Sequence, residues 1–254
     1  MNFSWKESWT SSSAEARMGI FFLACLALIY VFSIQIFPVV DKITQNDTPK
    51  ILPLITDKEI SRGSTEKKQV IFTFDAGSGD VSTRKILSVL KDYGVKGTFF
   101  VTGQFAERYP DLVREILAGG HEIYNHTYSH PHLTEISDEE IGDELLKMEN
   151  ALQKSGNTTS RPYFRPPYGD RDERVLAAAY KNGYQSVYWS VDAGDWMAEG
   201  ITAGEVKERI LSNIYPGAIF LMHVGDAITG DILGEILSDI EARGFRAVSL
   251  SEGL

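Results

Sequence analysis

The sequence predicts an α/β fold with a mainly parallel sheet, open or closed into a barrel, behind one N-terminal transmembrane helix. Three observations carry this. From Gln69 onward, short β-rich apolar runs alternate with amphipathic stretches. Gly94, Gly119, Gly156, Gly183 and Gly244 each sit just past an amphipathic stretch, where a left-handed residue ends a helix. Met18–Val40 carries no charge at all. Strand–helix alternation builds parallel sheets, because each parallel strand needs a crossover to reach the next.

Residues 1–17 form a short tail in which Lys6 and Arg17 balance Glu7 and Glu15. Within residues 18–40, Gly19–Ile36 is long enough to cross a bilayer, which needs about 20 apolar residues. A cleaved signal peptide is the competing reading, but such a segment has a shorter apolar core and ends in a small-x-small site. This stretch runs on into Pro38-Val39-Val40 without one. An uncleaved anchor is therefore expected, with the C-terminal domain on the extracytoplasmic side of the cell membrane. The flanking charges hardly bias the orientation, since Lys6 and Arg17 precede the span and Lys42 and Lys50 follow it. The single cysteine, Cys25, lies inside the span, so the outer portion has no thiol, which suits an exported domain. Residues 41–67 read as a polar linker broken by Pro49, Pro53 and Gly63, its last part near Ile60 lying against the domain.

The domain spans residues 68–254. Strands are expected at Val70–Phe74, Gly97–Val101, Glu122–Tyr124, Gln185–Trp189, Ala218–Met222 and Arg246–Leu250, with a short run at Tyr163-Phe164. Helices are expected at Thr83–Tyr93, Pro110–Ala118, Asp138–Lys154, Glu173–Asn182, Ala203–Ser212 and Ile228–Arg243. The formal charge of −10 falls entirely on residues after the span, which excludes phosphate-backbone binding as a main task and leaves no nucleic-acid partner. Hydrophobic residues make up 43% of the chain, ample for a core. No oligomer is implied.

In parallel α/β folds function gathers at the carboxyl ends of strands. Five of the expected strand ends carry, in chain order, Asp75, then His126 and His130, then Arg165, then Asp195, then His223. Singly, each has an ordinary explanation as a cap, a turn residue or a core histidine. Together they put two acids, an arginine and three of the five histidines into one mouth. His126 and His130 are four apart, so one helical turn would bring both imidazoles onto one face, a spacing suited to a metal.

Those residues also resemble a family. Thr73-Phe74-Asp75-x-Gly77, His126-Thr-x-x-His130-Pro131, Arg165-Pro-Pro-Tyr168-Gly169, Asp192-x-x-Asp195-Trp196 and Leu221-x-His223 are similar to the five ordered motifs of carbohydrate esterase family 4, the polysaccharide deacetylases with a NodB-homology domain. The resemblance covers roughly Lys68 to the C-terminus. It implies a distorted (β/α) barrel with fewer strands than a complete eightfold barrel. The activity implied is metal-dependent hydrolysis of N-acetyl, sometimes O-acetyl, groups on an extracellular or cell-wall polysaccharide such as peptidoglycan or a chitin-like glycan. In the roles it implies, Asp75 is general base, oriented by Arg165, and His223 is general acid, kept protonated by Asp195. His126 and His130 hold a divalent ion, zinc before cobalt or another. The backbone N–H of Tyr168 serves the oxyanion, and Tyr168 and Trp196 offer flat faces to a sugar ring.

One departure matters. The family's first motif usually has two adjacent aspartates, the second a metal ligand, and here that second residue is Ala76. Asp80 or Asp75 itself is a candidate substitute, Asp80 being otherwise a helix cap. A glycan-binding module of little or no activity on the same fold is the alternative function. His132 reads as a loop residue beyond the ligand pair. Tyr124 stands where a glycine is common.

If Gly19–Ile36 is an uncleaved anchor facing outward, protease added to intact cells removes the domain and leaves a small membrane stub. A freely secreted domain beginning near Asp41, or a domain protected from the protease, would contradict this topology.

Overall fold

The computed structural model describes residues 59–77, 79–197 and 200–254. The expected span at 18–40 and the linker up to residue 58 lie outside the described residues. Among those described, no helix is long and apolar enough to cross a membrane.

Eight parallel strands form one sheet: β1 (Gln69–Ala76), β2 (Thr98–Val101), β3 (Glu122–Asn125), β4 (Tyr163–Phe164), β5 (Gln185–Ser186), β6 (Val191–Asp192), β7 (Ile219–His223) and β8 (Arg246–Val248). Their order is β5-β4-β3-β2-β1-β7-β6, with β8 pairing the first residues of β1. The sheet curls into a partial barrel. Its helices are α1 (Thr83–Asp92), α2 (Gly103–Arg108), α3 (Pro110–Ala118), α4 (Asp138–Gly156), α5 (Glu173–Lys181), α6 (Ala203–Leu211), α7 (Ala227–Ala242) and α8 (Leu250–Gly253).

β1 is the axis of the fold. All eight of its residues are buried, and its side chains alternate between two environments. Val70, Phe72, Phe74 and Ala76 join the apolar cluster between sheet and helices. Ile71 joins a separate interior cluster with Phe100, Val187, Ile219 and Val248, while Thr73 and Asp75 on that same face rise toward the mouth. Phe72 stacks on Phe220 and Phe74 on Phe99, with ring centroids 5.2 and 5.0 Å apart.

The helix ends differ from expectation in an instructive way. Gly94, Gly183 and Gly244 have positive φ, as their places predict, but Gly119 does not. The left-handed residue there is Gly120, because Gly119 is a right-handed C-cap, and after α4 it is Asn157, because that helix runs through Gly156. α4 opens with a capping box between Ser137 and Glu140, and α6 with one between Thr202 and Glu205.

β5 is shorter than the apolar run Gln185–Trp189 suggests. Only Gln185 and Ser186 pair with β4, and beyond them Val187 bridges Ile60 of the preceding segment. That segment closes over the lower rim through Gly63 N–H to Gly217 O (2.8 Å) and Ser64 N–H to Gly253 O (2.8 Å). β6 and α2 have no counterpart among the expected elements. Two residues of strand are too few to show alternation, and α2 is a six-residue turn whose only clear signal is its N-cap, Thr102.

Gly217 tests the docking of that segment. It has φ of 78°, and a Cβ there would lie 2.4 Å from Gly63 O. Gly217→Ala therefore destabilises by more than the roughly 1–2 kcal/mol of a left-handed L-residue, read as a lower urea midpoint, with faster proteolysis near residues 60–64. An unchanged midpoint would contradict it.

Candidate active site

Arg165 follows β4 and is fully buried. Its guanidinium donates to Asp75 Oδ1 (2.7 Å), Thr73 Oγ1 (2.9 Å), Val187 O (3.2 Å) and Tyr188 O (3.2 Å), and lies over the Phe100 ring at 4.1 Å. Burial alone would push the Asp75 pKa up. The Arg165 charge and hydrogen bond beside it outweigh burial and hold the carboxyl below its ordinary value. Asp75 is thus an ionised base at neutral pH. Removing Arg165 would strand a buried carboxylate, a change that typically costs about 3–5 kcal/mol.

The backbone carbonyl of Arg165 has a second task. It lies 2.9 Å from His126 Nδ1. A carbonyl can only accept, so Nδ1 carries the hydrogen and Nε2 presents its lone pair to the mouth. Asp75 Oδ2 is 3.5 Å from that Nε2. Burial keeps the His126 imidazole below its ordinary pKa against the pull of Asp75. His130 is lowered to about 4, by burial first and then by the neighbouring His126. Both rings are therefore neutral at pH 7, the form a metal needs.

The two rings meet, with centroids 4.8 Å apart, but not by the helical turn that their spacing suggested. Residues 126–130 are a loop in which Thr127 and His130 both have φ of 64°. Two such non-glycine residues need firm anchoring. His130 N–H donates to Thr127 Oγ1 (3.1 Å), and Glu144 of α4 accepts from the N–H of Tyr128 (2.9 Å), the N–H of Ser129 (2.7 Å) and the Ser129 hydroxyl (2.9 Å).

On the next strand, His223 is the cross-strand partner of Asp75. Its Nδ1 is 2.8 Å from Asp195 Oδ1, and its N–H donates to Asp195 Oδ2 (2.7 Å), which Thr229 Oγ1 also contacts. Burial disfavours its charge, but the hydrogen bond and charge of Asp195, with Asp75 behind, prevail and raise its pKa. The structure thus brings Asp75, His126, His130, Arg165, Asp195 and His223 together. Tyr168 stands at the rim with φ of 58°, and Trp196 is well exposed, its Nε1 donating to Asp192 Oδ2 (3.3 Å). Thr229 and Glu144 escaped the sequence reading, because they act on other site residues and carry no motif spacing of their own, while Thr73 enters it only as part of the first motif.

The site fits a divalent ion in part. Two neutral, tautomer-fixed imidazoles are suitable ligands, but among the described residues no three His, Cys, Asp or Glu side chains are grouped to hold a metal. Ala76 is fully buried in the apolar cluster. Asp80 is not the helix cap considered for it: Ser82 is the N-cap of α1, and Asp80 contributes its carbonyl to Thr83 N–H (3.1 Å).

The polysaccharide deacetylase family model matches residues 62–187. A peptidoglycan-N-acetylglucosamine deacetylase of Bacillus cereus is 37% identical over 192 residues, 74% of this chain and 69% of that protein. The chain belongs to the polysaccharide deacetylase family. The peptidoglycan-N-acetylmuramic acid deacetylase of Bacillus subtilis is 34% identical, covering 75% of this chain and 73% of that one. Its structure, described as a family 4 carbohydrate esterase, aligns with a TM-score of 0.73. A Bacillus anthracis protein described as a pseudoenzyme of that family aligns at 0.74 with 29% identity, covering 78% of this chain and 69% of that one. A mutant of it, 30% identical, is described as having restored enzymatic activity.

The neutral histidines set a pH dependence for this family member. His121, whose Nδ1 accepts from Gly97 N–H, is also lowered to about 4, mainly by burial. A histidine depressed in the fold contributes stability above its unfolded pKa, and that contribution is lost as pH falls toward the folded value. In chelator, the unfolding midpoint therefore drops between pH of about 6.5 and about 4. His130→Asn makes that drop shallower, and an identical pH profile would count against a neutral His130.

Proposed function

We propose that this protein is a polysaccharide deacetylase that removes N-acetyl groups from an acetylated cell-wall or other extracellular glycan, with a divalent ion, zinc first, held by His126 and His130. The N-terminal anchor would hold the domain at the outer face of the cell membrane, within reach of such a polymer. One observation carries the reading: Asp75 and His223 are cross-strand neighbours with opposite proton tasks, each fixed by its own charged partner.

Amide hydrolysis needs a proton removed from water, charge stabilised on the carbonyl oxygen, and a proton delivered to the departing nitrogen. Asp75, held ionised by Arg165, takes the proton from water as its oxygen adds to the acetyl carbon. The Tyr168 N–H is the donor proposed for the oxyanion. His223, raised toward its protonated form by Asp195, gives its proton to the amine as the carbon–nitrogen bond breaks, leaving acetate and a free amino sugar. A bound divalent ion supplies Lewis acidity and lowers the pKa of water. The relatives named for peptidoglycan N-acetylglucosamine and N-acetylmuramic acid support a peptidoglycan-like substrate.

A second reading, a glycan-binding module of little activity, is favoured by Ala76 and by the likeness to the pseudoenzyme. Acetate release and zinc content of the full-length protein, with peptidoglycan and chitooligosaccharide as substrates, separate the two. The deacetylase releases acetate and loses both zinc and activity in the His126→Ala/His130→Ala double variant. No acetate from either glycan, with glycan binding intact, establishes the module instead. Ala76→Asp places a carboxylate in the apolar cluster between sheet and helices, so it lowers the metal-free melting temperature; where that carboxylate turns into the mouth, it tightens zinc binding by at least about tenfold. The melting-temperature gain on adding zinc is then larger than in the parent.

A further inference from the structure

The rim of the mouth holds an aromatic stack that none of the catalytic roles uses. The Tyr168 ring is covered on one side by His132, parallel within 14° and 4.2 Å between centroids. His130 meets the same ring at 70° and 4.4 Å. Tyr168 is therefore wedged between two imidazoles, and the face against His132 is not open to a sugar. Its backbone is left-handed at φ of 58° and ψ of 4°, a conformation that persists only where the surroundings enforce it. The residue is 62% exposed, and what holds it is the turn's own hydrogen bonds, Gly169 N–H to Pro166 O (3.1 Å) and Asp170 N–H to Pro167 O (2.9 Å), together with these two rings.

His132 is itself fastened. Its Nδ1 lies 3.5 Å from Asp170 Oδ2. Asp170 accepts from the N–H of Thr134 (3.1 Å) and from its hydroxyl (2.9 and 2.8 Å), and its own N–H donates to Pro167 O (2.9 Å). The segment after the His126–His130 loop is thus bolted to the Pro167–Gly169 turn just where the two rings stack.

We propose that His132 is a positioning residue: seated by Asp170, its ring stacks on Tyr168 and so fixes both the Tyr168 backbone N–H and the orientation of His130. Resting on the deacetylase reading for its effect on rate, the role requires a flat ring and not a charge. A merely solvent-covering histidine would tolerate alanine.

The test compares the parent with His132→Ala and His132→Phe as full-length proteins in detergent micelles, labelled with ¹⁵N-tyrosine. Three quantities are read: the Tyr168 amide resonance, zinc affinity by titration, and acetate release. His132→Ala should shift or broaden the Tyr168 amide and weaken zinc binding about three- to tenfold. It should lower kcat by a similar factor, with KM within about twofold. His132→Phe, which keeps the stack without the Asp170 contact, should return all three most of the way to parent values. A Tyr168 amide unchanged in His132→Ala would overturn the proposal, as would a phenylalanine variant no better than alanine. The amide arm decides even for a parent that releases no acetate, so loss of the deacetylase reading and loss of the positioning role stay separable.

Discussion

The buried ion pair of Arg165 and Asp75 is the constraint on which the mouth depends. A guanidinium with no exposed surface is tolerated only when its donors are spent, and here they reach β1, the two carbonyls beyond β5 and the carboxylate itself. The same residue turns its carbonyl to His126 Nδ1 and thereby chooses the imidazole's tautomer. One side chain thus sets the charge of Asp75, and one peptide group sets which nitrogen of the neighbouring histidine faces the mouth. Phe100 beneath the guanidinium replaces the water that would otherwise weaken the pair.

Much of this was legible in the sequence because chemistry at strand ends follows chain order. A run such as Val70–Phe74 declares a buried strand, and Asp75 is simply what comes next. His223 after β7 is equally plain. What the sequence withheld was conformation inside loops. The four-residue spacing of His126 and His130 suits a helix, yet Thr127 and His130 adopt left-handed backbone under the grip of Glu144, which lies fourteen residues beyond His130 with no periodic signal to betray it. The apolar run Gln185–Trp189 likewise read as one strand, whereas β5 stops at Ser186, Val187 bridges Ile60 and the next strand starts only at Val191. Pairing partners remote in the chain decided these cases, and no local pattern encodes them.

Ala76 gains meaning from the alternation of β1. Its neighbour Asp75 faces the mouth, while Ala76 belongs with Phe72 and Phe74 among the helices. An alanine there suits the apolar packing that the rest of that face demands. The family's usual aspartate at this place therefore sets metal binding against core packing, and this chain has settled the conflict on the side of the core.

The grip of Glu144 on the histidine loop has a thermodynamic consequence. A loop free to wander must surrender conformational entropy whenever it captures a ligand, and that loss is subtracted from affinity. Here the surrender has already happened during folding: a carboxylate on a helix with six buried side chains immobilises Tyr128 and Ser129 between the two imidazoles. Whatever enters the mouth meets a loop backbone already ordered, so little further conformational entropy of that backbone is lost on capture.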